Sequence, residues 1–289
     1  MTTDYSTIHQ PITEPLNPPL ELDEDQRQFF DDNGYLSGIK LLEPAQCNQL
    51  LESLQTLMEP DSVNNELWHE IHLNESGDPD AILFHALGAW RIDPHFHDLL
   101  WNPSFVSVAE QLLQSPVRFW HDQLFCKPAK HGGNVSWHQD YSYWTRTTPM
   151  QHLTCWIALE DANLENGCIQ YIPGSHHWDL LPITGLAGDM AAIRETLSET
   201  QWKRLQNPVA IELKQGYASF HHPLLVHGSA RNVSDRSRKA AVINAFADGV
   251  TAHSDKPLLK GIPAFAAGEK IEGQYFPILK CIDPKSSQY

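Results

Sequence analysis

Several features are scarce or missing in this sequence of 289 residues, and each excludes a class of protein. No run of about 18 apolar residues occurs, so no transmembrane helix is expected. Basic residues are few, because 20 lysines and arginines stand against 36 aspartates and glutamates, which gives a net charge of −16. Such a charge repels nucleic acid and anionic membranes, so we expect a small-molecule partner instead.

Disulfide frameworks and structural zinc sites also lack support. The five cysteines are scattered along the chain and include no C-x-x-C pair. An odd number of isolated cysteines favours a reducing compartment, and we therefore expect a cytoplasmic protein. The polar residues 1–20 contain four prolines and lack both the basic and the apolar region of a secretory signal. They are interpreted as a flexible or surface-draped arm.

The remaining chain has a globular composition, with 41% hydrophobic and 19% charged residues. Helical spacing of apolar residues predicts helices over 23–33, 43–58 and 103–113. After residue 116, short apolar or β-branched runs are separated by turn residues, which predicts strands over 117–125, 152–159, 168–172, 209–213, 218–220 and 239–246. Helices first and strands later predict an α+β fold with a mainly β core, arranged as a cupin-like jelly roll (a double-stranded β-helix).

This pattern predicts a single domain over residues 21–289. We expect helical support over about 21–115, the jelly-roll core over about 116–250 and a C-terminal extension over about 251–289. Residues 183–204 interrupt the strands as an insertion that contains a helix. Because loops longer than about 12 residues are often functional, this insertion is interpreted as a lid.

The sequence Trp137-His138-Gln139-Asp140 gives the clearest chemical signal, because an imidazole and a carboxylate lie two residues apart. On a β-strand, residues i and i+2 lie on the same face, about 7 Å apart. Both side chains can then reach one metal ion, and His227 from a later strand can supply a third ligand. Two histidines and one carboxylate leave the opposite positions of an octahedral ion open, which suits non-heme Fe(II) and oxygen chemistry.

The third ligand has a competitor, because His221 shares a strand face with His227. We prefer His227, since Gly228-Ser229 follow it and Arg238 comes eleven residues later. An arginine at this position suits a keto-acid cosubstrate, because its planar fork pairs bidentately with a carboxylate.

With these residues in place, the chain resembles the phytanoyl-CoA dioxygenase family of Fe(II)- and 2-oxoglutarate-dependent oxygenases. The resemblance covers about residues 25–247. It is carried by four segments: His138-Gln139-Asp140, Asn166-Gly167-Cys168, Ile172-Pro173-Gly174-Ser175-His176, and His227-Gly228-Ser229 with the later Arg238.

The resemblance implies that His138, Asp140 and His227 ligate Fe(II). It also implies that Arg238 pairs with the distal carboxylate of 2-oxoglutarate and that Ser229 adds a hydroxyl to the same carboxylate. The other predicted cosubstrate residues are Trp156, Gln139 and Phe119.

Some family members use an upstream lysine as a further cosubstrate contact. Residues 78–91 of this chain contain no lysine. Arg91 and His85 are the alternatives in that segment.

The resemblance also bears on the reaction, because relatives that halogenate carry a small residue in place of Asp140. Hydroxylation, or another oxidation that begins with hydrogen abstraction, is therefore implied, with release of succinate and CO2. We expect a small or medium metabolite, neutral or cationic, as the substrate. The predicted substrate residues are Tyr141, Tyr143, Trp144, Asn244 and Phe246.

Two other functions stay open from the residues alone. One is a cupin-like metalloenzyme that does not use 2-oxoglutarate. The other is a non-catalytic, metal-containing β-sandwich that binds a ligand. The open face of the predicted metal site disfavours this second alternative, because structural metal sites are usually closed.

Overall fold

The first part of the chain is mainly helical. The computed structural model describes residues 3–280. Its first six helices are α1 (Glu24–Asn33), α2 (Pro44–Leu57), α3 (Pro60–Val63), α4 (Ala89–Ile92), α5 (Pro94–Leu99) and α6 (Pro103–Leu113). Between them lie the strands β1 (Tyr35–Lys40), β2 (Glu70–His72) and β3 (Phe84–Leu87).

Strands dominate after residue 116. They are β4 (Val117–Lys127), β5 (Val135–His138), β6 (Thr147–Thr148), β7 (His152–Ala158), β8 (Gln170–Tyr171), β9 (Val209–Ala210), β10 (Tyr217–His221), β11 (His227–Ser229), β12 (Arg238–Ala247), β13 (Thr251–Ala252) and β14 (Ile278–Leu279). One helix, α7 (Glu199–Leu205), interrupts them.

Two antiparallel sheets form the body of the protein. The larger sheet has the order β1-β10-β7-β12-β4-β3-β2, with β14 also paired to β4. The smaller sheet has the order β5-β11-β8-β9. This double-sheet arrangement with helices supplied by the N-terminal part confirms the predicted α+β class and its jelly-roll core.

The helices cover one face of the larger sheet. Leu54 of α2 and Phe105 of α6 belong to the same buried apolar cluster as Phe119 of β4 and Phe220 of β10. The opposite face of the sheet looks toward the smaller sheet, where Trp156 and Tyr171 belong to a second buried cluster. The space between the two sheets is therefore the place where side chains of both sheets can meet.

The first twenty residues, predicted as a flexible or surface-draped arm, lie against α4 and α5 where they are described. Asp4 pairs with Arg91 (2.8 Å), and the backbone N–H groups of Ile12 and Thr13 donate to Asp98. These contacts hold Arg91 away from the space between the sheets. The boundaries at residues 20/21, 115/116 and 250/251 stay a prediction, and residues 281–289 of the predicted extension lie outside the described residues.

The predicted insertion at residues 183–204 is present, and its α-helix, α7, lies at its C-terminal end. A 3₁₀ helix (Ala192–Thr196) precedes α7. Ile193 and Leu197 pack in an apolar cluster with Trp137 of β5. The helical part therefore covers the outer face of the smaller sheet, and Leu186 near its start is the part that lines the cavity described below.

Within residues 3–280, no helix is long and apolar enough to cross a membrane. Four cysteines fall in this range and are free and buried: Cys47, Cys126, Cys155 and Cys168.

Candidate metal and cosubstrate site

Strand pairing brings His138 and His227 together. β5 ends at His138, β11 begins at His227, and the two residues are direct partners in the antiparallel register. Their ring centroids lie 4.2 Å apart. Two histidines that are distant in the sequence thus share one end of the smaller sheet.

Asp140 joins the histidines by a local geometry that differs from the predicted one. β5 stops at His138, and Asp140 begins a 3₁₀ helix (Asp140–Tyr143), in which Ser142 N donates to Gln139 O (3.2 Å) and Trp144 N donates to Tyr141 O (2.9 Å). This turn places Asp140 Oδ1 3.5 Å from both His138 Nε2 and His227 Nε2. The expectation that both residues of the His-x-Asp motif lie on one strand face was wrong, although their side chains do converge.

The donor set fits a divalent metal. Atoms of His138, Asp140 and His227 that could ligate an ion lie within 4.8 Å of one another. His138 Nδ1 donates to Ser136 O (2.7 Å) and His227 Nδ1 donates to Leu225 O (2.9 Å). These bonds set the tautomer of each ring and leave both Nε2 lone pairs directed at Asp140 Oδ1.

The second oxygen of Asp140 is held by the protein. Thr154 Oγ1 donates to Asp140 Oδ2 (2.6 Å), and so does His221 Nε2 (3.0 Å). Tyr171 donates in turn to His221 Nδ1 (2.9 Å). His221, the competing third ligand, thus contacts the carboxylate oxygen that faces away from the other two histidines.

The charge states of these groups suit ligation. Burial alone would raise the pKa of Asp140, but His227 beside it and the hydrogen bond from His221 hold that pKa well below its ordinary value. Burial, followed by the neighbouring His138, lowers the pKa of His227 well below its ordinary value. An ionised carboxylate and a neutral imidazole are the forms that bind a metal ion.

Arg238 lies in the same cavity and has no anionic partner among the described residues. Its side chain is buried, and Nη2 donates to Ser229 Oγ at 3.5 Å. Nε and Nη1 have no hydrogen-bond partner, and the guanidinium lies 5.5 Å from the centroid of the Trp156 ring. A buried and unpaired guanidinium is costly, so this end of the cavity fits a carboxylate ligand.

Lys127 supports this end of the cavity, and the sequence reasoning missed it. Its Nζ donates to Ser229 Oγ (2.6 Å), Ser229 O (3.2 Å) and Ala230 O (2.6 Å). Lys127 precedes Pro128 at the end of a long apolar strand, and that position was the available signal. Of the two alternatives in residues 78–91, Arg91 pairs with Asp4 and does not line the cavity, whereas His85 does.

The three candidate metal ligands, Ser229 and Arg238 line one cavity of about 360 Å³ between the two sheets. It is large enough for a small ligand. The predicted residues that line it are the following: His138, Asp140, Tyr143, Trp144, Trp156, His227, Ser229 and Arg238.

Gln139 and Phe119, predicted as cosubstrate residues, do not line the cavity. The amide of Gln139 accepts from Leu181 N (2.7 Å) and donates to Leu224 O (2.9 Å), so the side chain joins two loops. Phe119 belongs to the cluster under the helices and packs against Trp90 at 4.9 Å between ring centroids. Gln139 follows the last residue of β5, and a β-bulge in the pairing of β4 with β12 separates Phe119 from His121, so regular strand alternation does not carry either side chain to the site.

Three predicted substrate residues also lie outside the cavity wall. Tyr141 donates to Thr147 O (2.6 Å), and Phe246 packs with Trp120 and Phe276. Asn244 is fully buried behind the wall, where its Oδ1 lies 3.0 Å from Thr154 Oγ1. The structure therefore gives Tyr141 and Phe246 packing roles and places Asn244 behind Thr154.

The comparisons with known proteins agree with this geometry. The family model of phytanoyl-CoA dioxygenase (PhyH) matches residues 30–240. The chain belongs to the phytanoyl-CoA dioxygenase family. This membership confirms the resemblance seen in the sequence together with the prediction of Fe(II) and 2-oxoglutarate, and it places the chain among the oxygenases that use them.

Curated relatives share the family name. A probable phytanoyl-CoA dioxygenase of Caenorhabditis elegans is 26% identical over 231 residues, which cover 76% of this chain and 73% of the relative. The phytanoyl-CoA dioxygenase of Arabidopsis thaliana is 36% identical over 157 residues, which cover 54% of this chain and 53% of the relative. The chain therefore spans about half the length of the plant relative.

Solved structures share the fold. The non-heme alpha ketoglutarate dependent carbocyclase SnoK from nogalamycin biosynthesis superposes with a TM-score of 0.71 at 22% identity, over 91% of this chain and 100% of that chain. EctD from S. alaskensis, solved with 2-oxoglutarate and 5-hydroxyectoine, gives a TM-score of 0.69 at 21% identity, over 96% of this chain and 95% of that one.

Proposed function

We propose that this protein is a hydroxylase that oxidises a small or medium organic metabolite and converts 2-oxoglutarate to succinate and CO2. In this proposal His138, Asp140 and His227 hold Fe(II), while Arg238 and Ser229 hold the distal carboxylate of 2-oxoglutarate. One observation carries it: three convergent ligand atoms and a buried guanidinium with two unpartnered nitrogens line the same cavity. We also propose that the protein is cytoplasmic. Its partner in this proposal is a small-molecule substrate and not a nucleic acid or a membrane.

Bound Fe(II) and 2-oxoglutarate would supply the oxidising chemistry, in which one oxygen atom of O2 enters succinate and the other enters the product. The residues of the chain supply position and charge. Thr154 and His221 hold Asp140 Oδ2, so that Oδ1 faces the two histidines. Arg238 orients the cosubstrate because its planar guanidinium can donate two parallel hydrogen bonds to a carboxylate.

The cavity walls would also limit the entry of water. Trp120, Trp144 and Trp156 line the cavity, and each is at most 6% exposed. Exclusion of water strengthens every electrostatic contact inside such a site. The retained Asp140 carboxylate occupies the metal position that halogenating relatives leave open, and hydroxylation is therefore the proposed outcome.

The test combines metal binding with turnover. Under anaerobic conditions the purified protein should bind one equivalent of Fe(II) and then 2-oxoglutarate, and exposure to oxygen should yield succinate. His138→Ala and Asp140→Ala should lose Fe(II) binding, because each removes one of three ligands. His131→Ala is the matched control, since the His131 side chain is 57% exposed and lies outside the cavity.

Three results would contradict the proposal. Fe(II) binding that survives both ligand substitutions would place the metal elsewhere. Oxygen consumption that does not depend on 2-oxoglutarate would favour the cupin-like metalloenzyme. A metal-loaded protein that neither binds 2-oxoglutarate nor forms succinate would favour the non-catalytic β-sandwich.

A further inference from the structure

The cavity wall formed by β2, β3 and the intervening loop carries negative charge. Glu70 on β2, Glu75 in the loop and His85 on β3 line the same cavity as the candidate metal residues. The only ion-pair neighbours of the two glutamates among the described residues are histidines. Neither glutamate forms an ion pair with a lysine or arginine among the described residues, although Arg146 lines the same cavity.

Two acceptor atoms face each other in this wall. Glu75 Oε2 and His85 Nδ1 are buried, lie 3.5 Å apart and have no hydrogen-bond partner. His85 Nε2 donates to Gln123 Oε1 (3.0 Å), so the Nδ1 of the neutral ring carries a lone pair. A carboxylate in its ordinary ionised form offers only acceptor atoms, so Glu75 Oε2 needs a donor as well. Neither Glu75 Oε2 nor His85 Nδ1 therefore has a hydrogen-bond donor beside it.

Tyr143 connects this wall to the candidate metal site. Its ring packs edge-on against His138 at 5.9 Å between centroids, and its buried hydroxyl has no hydrogen-bond partner. The hydroxyl borders the cavity and offers both an O–H donor and an oxygen acceptor to a ligand there.

We infer that Glu75 recognises a positively charged amino group of the substrate, with His85 and Tyr143 as its neutral partners. The inference rests on the proposed function, because it assigns a substrate class to the same cavity. An ammonium group has three donors, so it can satisfy Glu75 Oε2 and His85 Nδ1, which lie 3.5 Å apart. Its positive charge adds a Coulomb attraction to the Glu75 carboxylate that an alcohol of the same shape lacks, so the carboxylate favours the amine.

The remaining wall fits an apolar body for this amine. Phe125 stacks on His85 at 4.5 Å between ring centroids, and Trp120 and Trp144 line the adjoining surface. An amino group held at Glu75 would direct the attached carbon atoms along these rings toward His138 and Asp140. Glu75 is thus a recognition and positioning residue, and it is separate from the candidate metal ligands.

A metal ion is the competing occupant, because Glu70, His72 and Glu75 place possible ligand atoms within 4.8 Å of one another. The side chains of Glu70 and His72 are 50% and 42% exposed. The unpartnered atoms of Glu75 and His85, in contrast, are buried and border the cavity. An organic ammonium that reaches into the cavity fits these atoms better than an ion bound at the surface of β2.

The test uses amines and alcohols of matched shape as probes. Butylammonium, benzylammonium and cyclohexylmethylammonium are titrated calorimetrically, each beside its alcohol, into the anaerobic protein loaded with Fe(II) and 2-oxoglutarate. At least one ammonium should bind about tenfold more tightly than its alcohol, as expected for a charge-assisted contact. Glu75→Gln should reduce this preference to less than about threefold.

Glu66→Gln is the matched control, because Glu66 is exposed, lies outside the cavity and carries the same charge. This variant should keep the tenfold preference. Glu75→Asp, which keeps the charge on a shorter side chain, should give an intermediate value. Thermal unfolding of all variants shows whether each one folds.

The inference is overturned if no ammonium binds saturably at millimolar concentration, or if amine and alcohol bind equally well. It is also overturned if Glu66→Gln lowers the preference as much as Glu75→Gln, or if Zn²⁺ binds beside the loaded iron site and is lost in Glu75→Gln. Succinate formation is measured on the same preparation. Succinate without an amine preference refutes this inference alone, whereas an amine preference without 2-oxoglutarate binding refutes the proposed function.

Discussion

Lys127 and Arg238 are direct partners across the antiparallel pair of β4 and β12, and both cationic side chains are buried. Burial, followed by the charge of Arg238, lowers the pKa of Lys127 well below its ordinary value. Lys127 uses its donors on Ser229 and Ala230, whereas Arg238 keeps two free nitrogens at the cavity. Lys127 thus holds the Ser229 hydroxyl in place, and the two unpartnered nitrogens of Arg238 remain available to an anionic ligand.

We predict that Lys127→Met weakens the binding of 2-oxoglutarate by about tenfold and leaves Fe(II) binding intact, because Ser229 loses its partner but the metal residues keep theirs. Anaerobic titration of each ligand measures both effects. Lys239→Met is the control, since Lys239 pairs with Glu160 (2.9 Å) and does not line the cavity. Unchanged 2-oxoglutarate affinity in the Lys127 variant would show that Ser229 does not need this support.

Thr154→Val should lower the affinity for Fe(II) by roughly 10- to 100-fold, because outer partners of metal-binding carboxylates tune affinity by this amount. The substitution keeps the shape of the side chain but removes the 2.6 Å hydrogen bond to Asp140 Oδ2. Competition with a metal chelator measures the change. Thr251→Val, which removes a hydrogen bond to Thr148 O far from the cavity lining, should leave the affinity unaltered.

Gln139→Ala should destabilise the fold by about 1–3 kcal/mol, because Leu181 N and Leu224 O would lose their buried partner. The affinity for 2-oxoglutarate should not change, since Gln139 does not line the cavity. Urea unfolding and anaerobic titration separate the two quantities. A variant with native stability and weakened cosubstrate binding would instead support the role that the family resemblance implied.

Acid should destabilise the protein, because His121 and His152 are buried in the neutral form. Burial lowers the pKa of each from 6.5 to about 3. Below pH 6.5 the unfolded chain binds protons that the folded chain does not, so the free energy of unfolding falls as the pH drops toward 3 and is unaffected above 6.5. At pH 5 each histidine contributes about 2 kcal/mol of this loss.

Urea unfolding at about pH 5 and about pH 8 measures this difference in stability. His152→Gln should make the free energy of unfolding less dependent on pH. His131→Gln, at an exposed position, should show the same pH dependence as the unchanged protein. Equal pH dependence in all three proteins would show that His152 takes up its proton without unfolding.

Much of the fold could be predicted from local patterns. The predicted helix over 103–113 matches α6, and the 239–246 run lies inside β12. The short elements β2, β3, α4 and α5 were missed because each has too few residues to show a period. These missed elements carry Glu70 and His85, which is why the acidic wall of the cavity was not anticipated.

The site was predictable where motifs carry the chemistry. His-x-Asp, the later histidine and the arginine eleven residues beyond it could all be read directly. Trp156, Tyr143 and Trp144 line the cavity, and their roles there stay a prediction. Gln139, Phe119 and Phe246 do not line it, because neither a family resemblance nor nearness in sequence determines the direction of a side chain.

The sequence by itself determined the kinds of group that this protein can present, namely two imidazoles, one carboxylate and one guanidinium in a globular chain of negative charge. The tertiary structure alone decided that His227 pairs with His138 across two strands and that Lys127 meets Ser229. It also decided that the unpartnered atoms of Glu75 and His85 border the same cavity. The reason is that sheet register between distant segments is set by the packing of whole faces, and no local pattern encodes it.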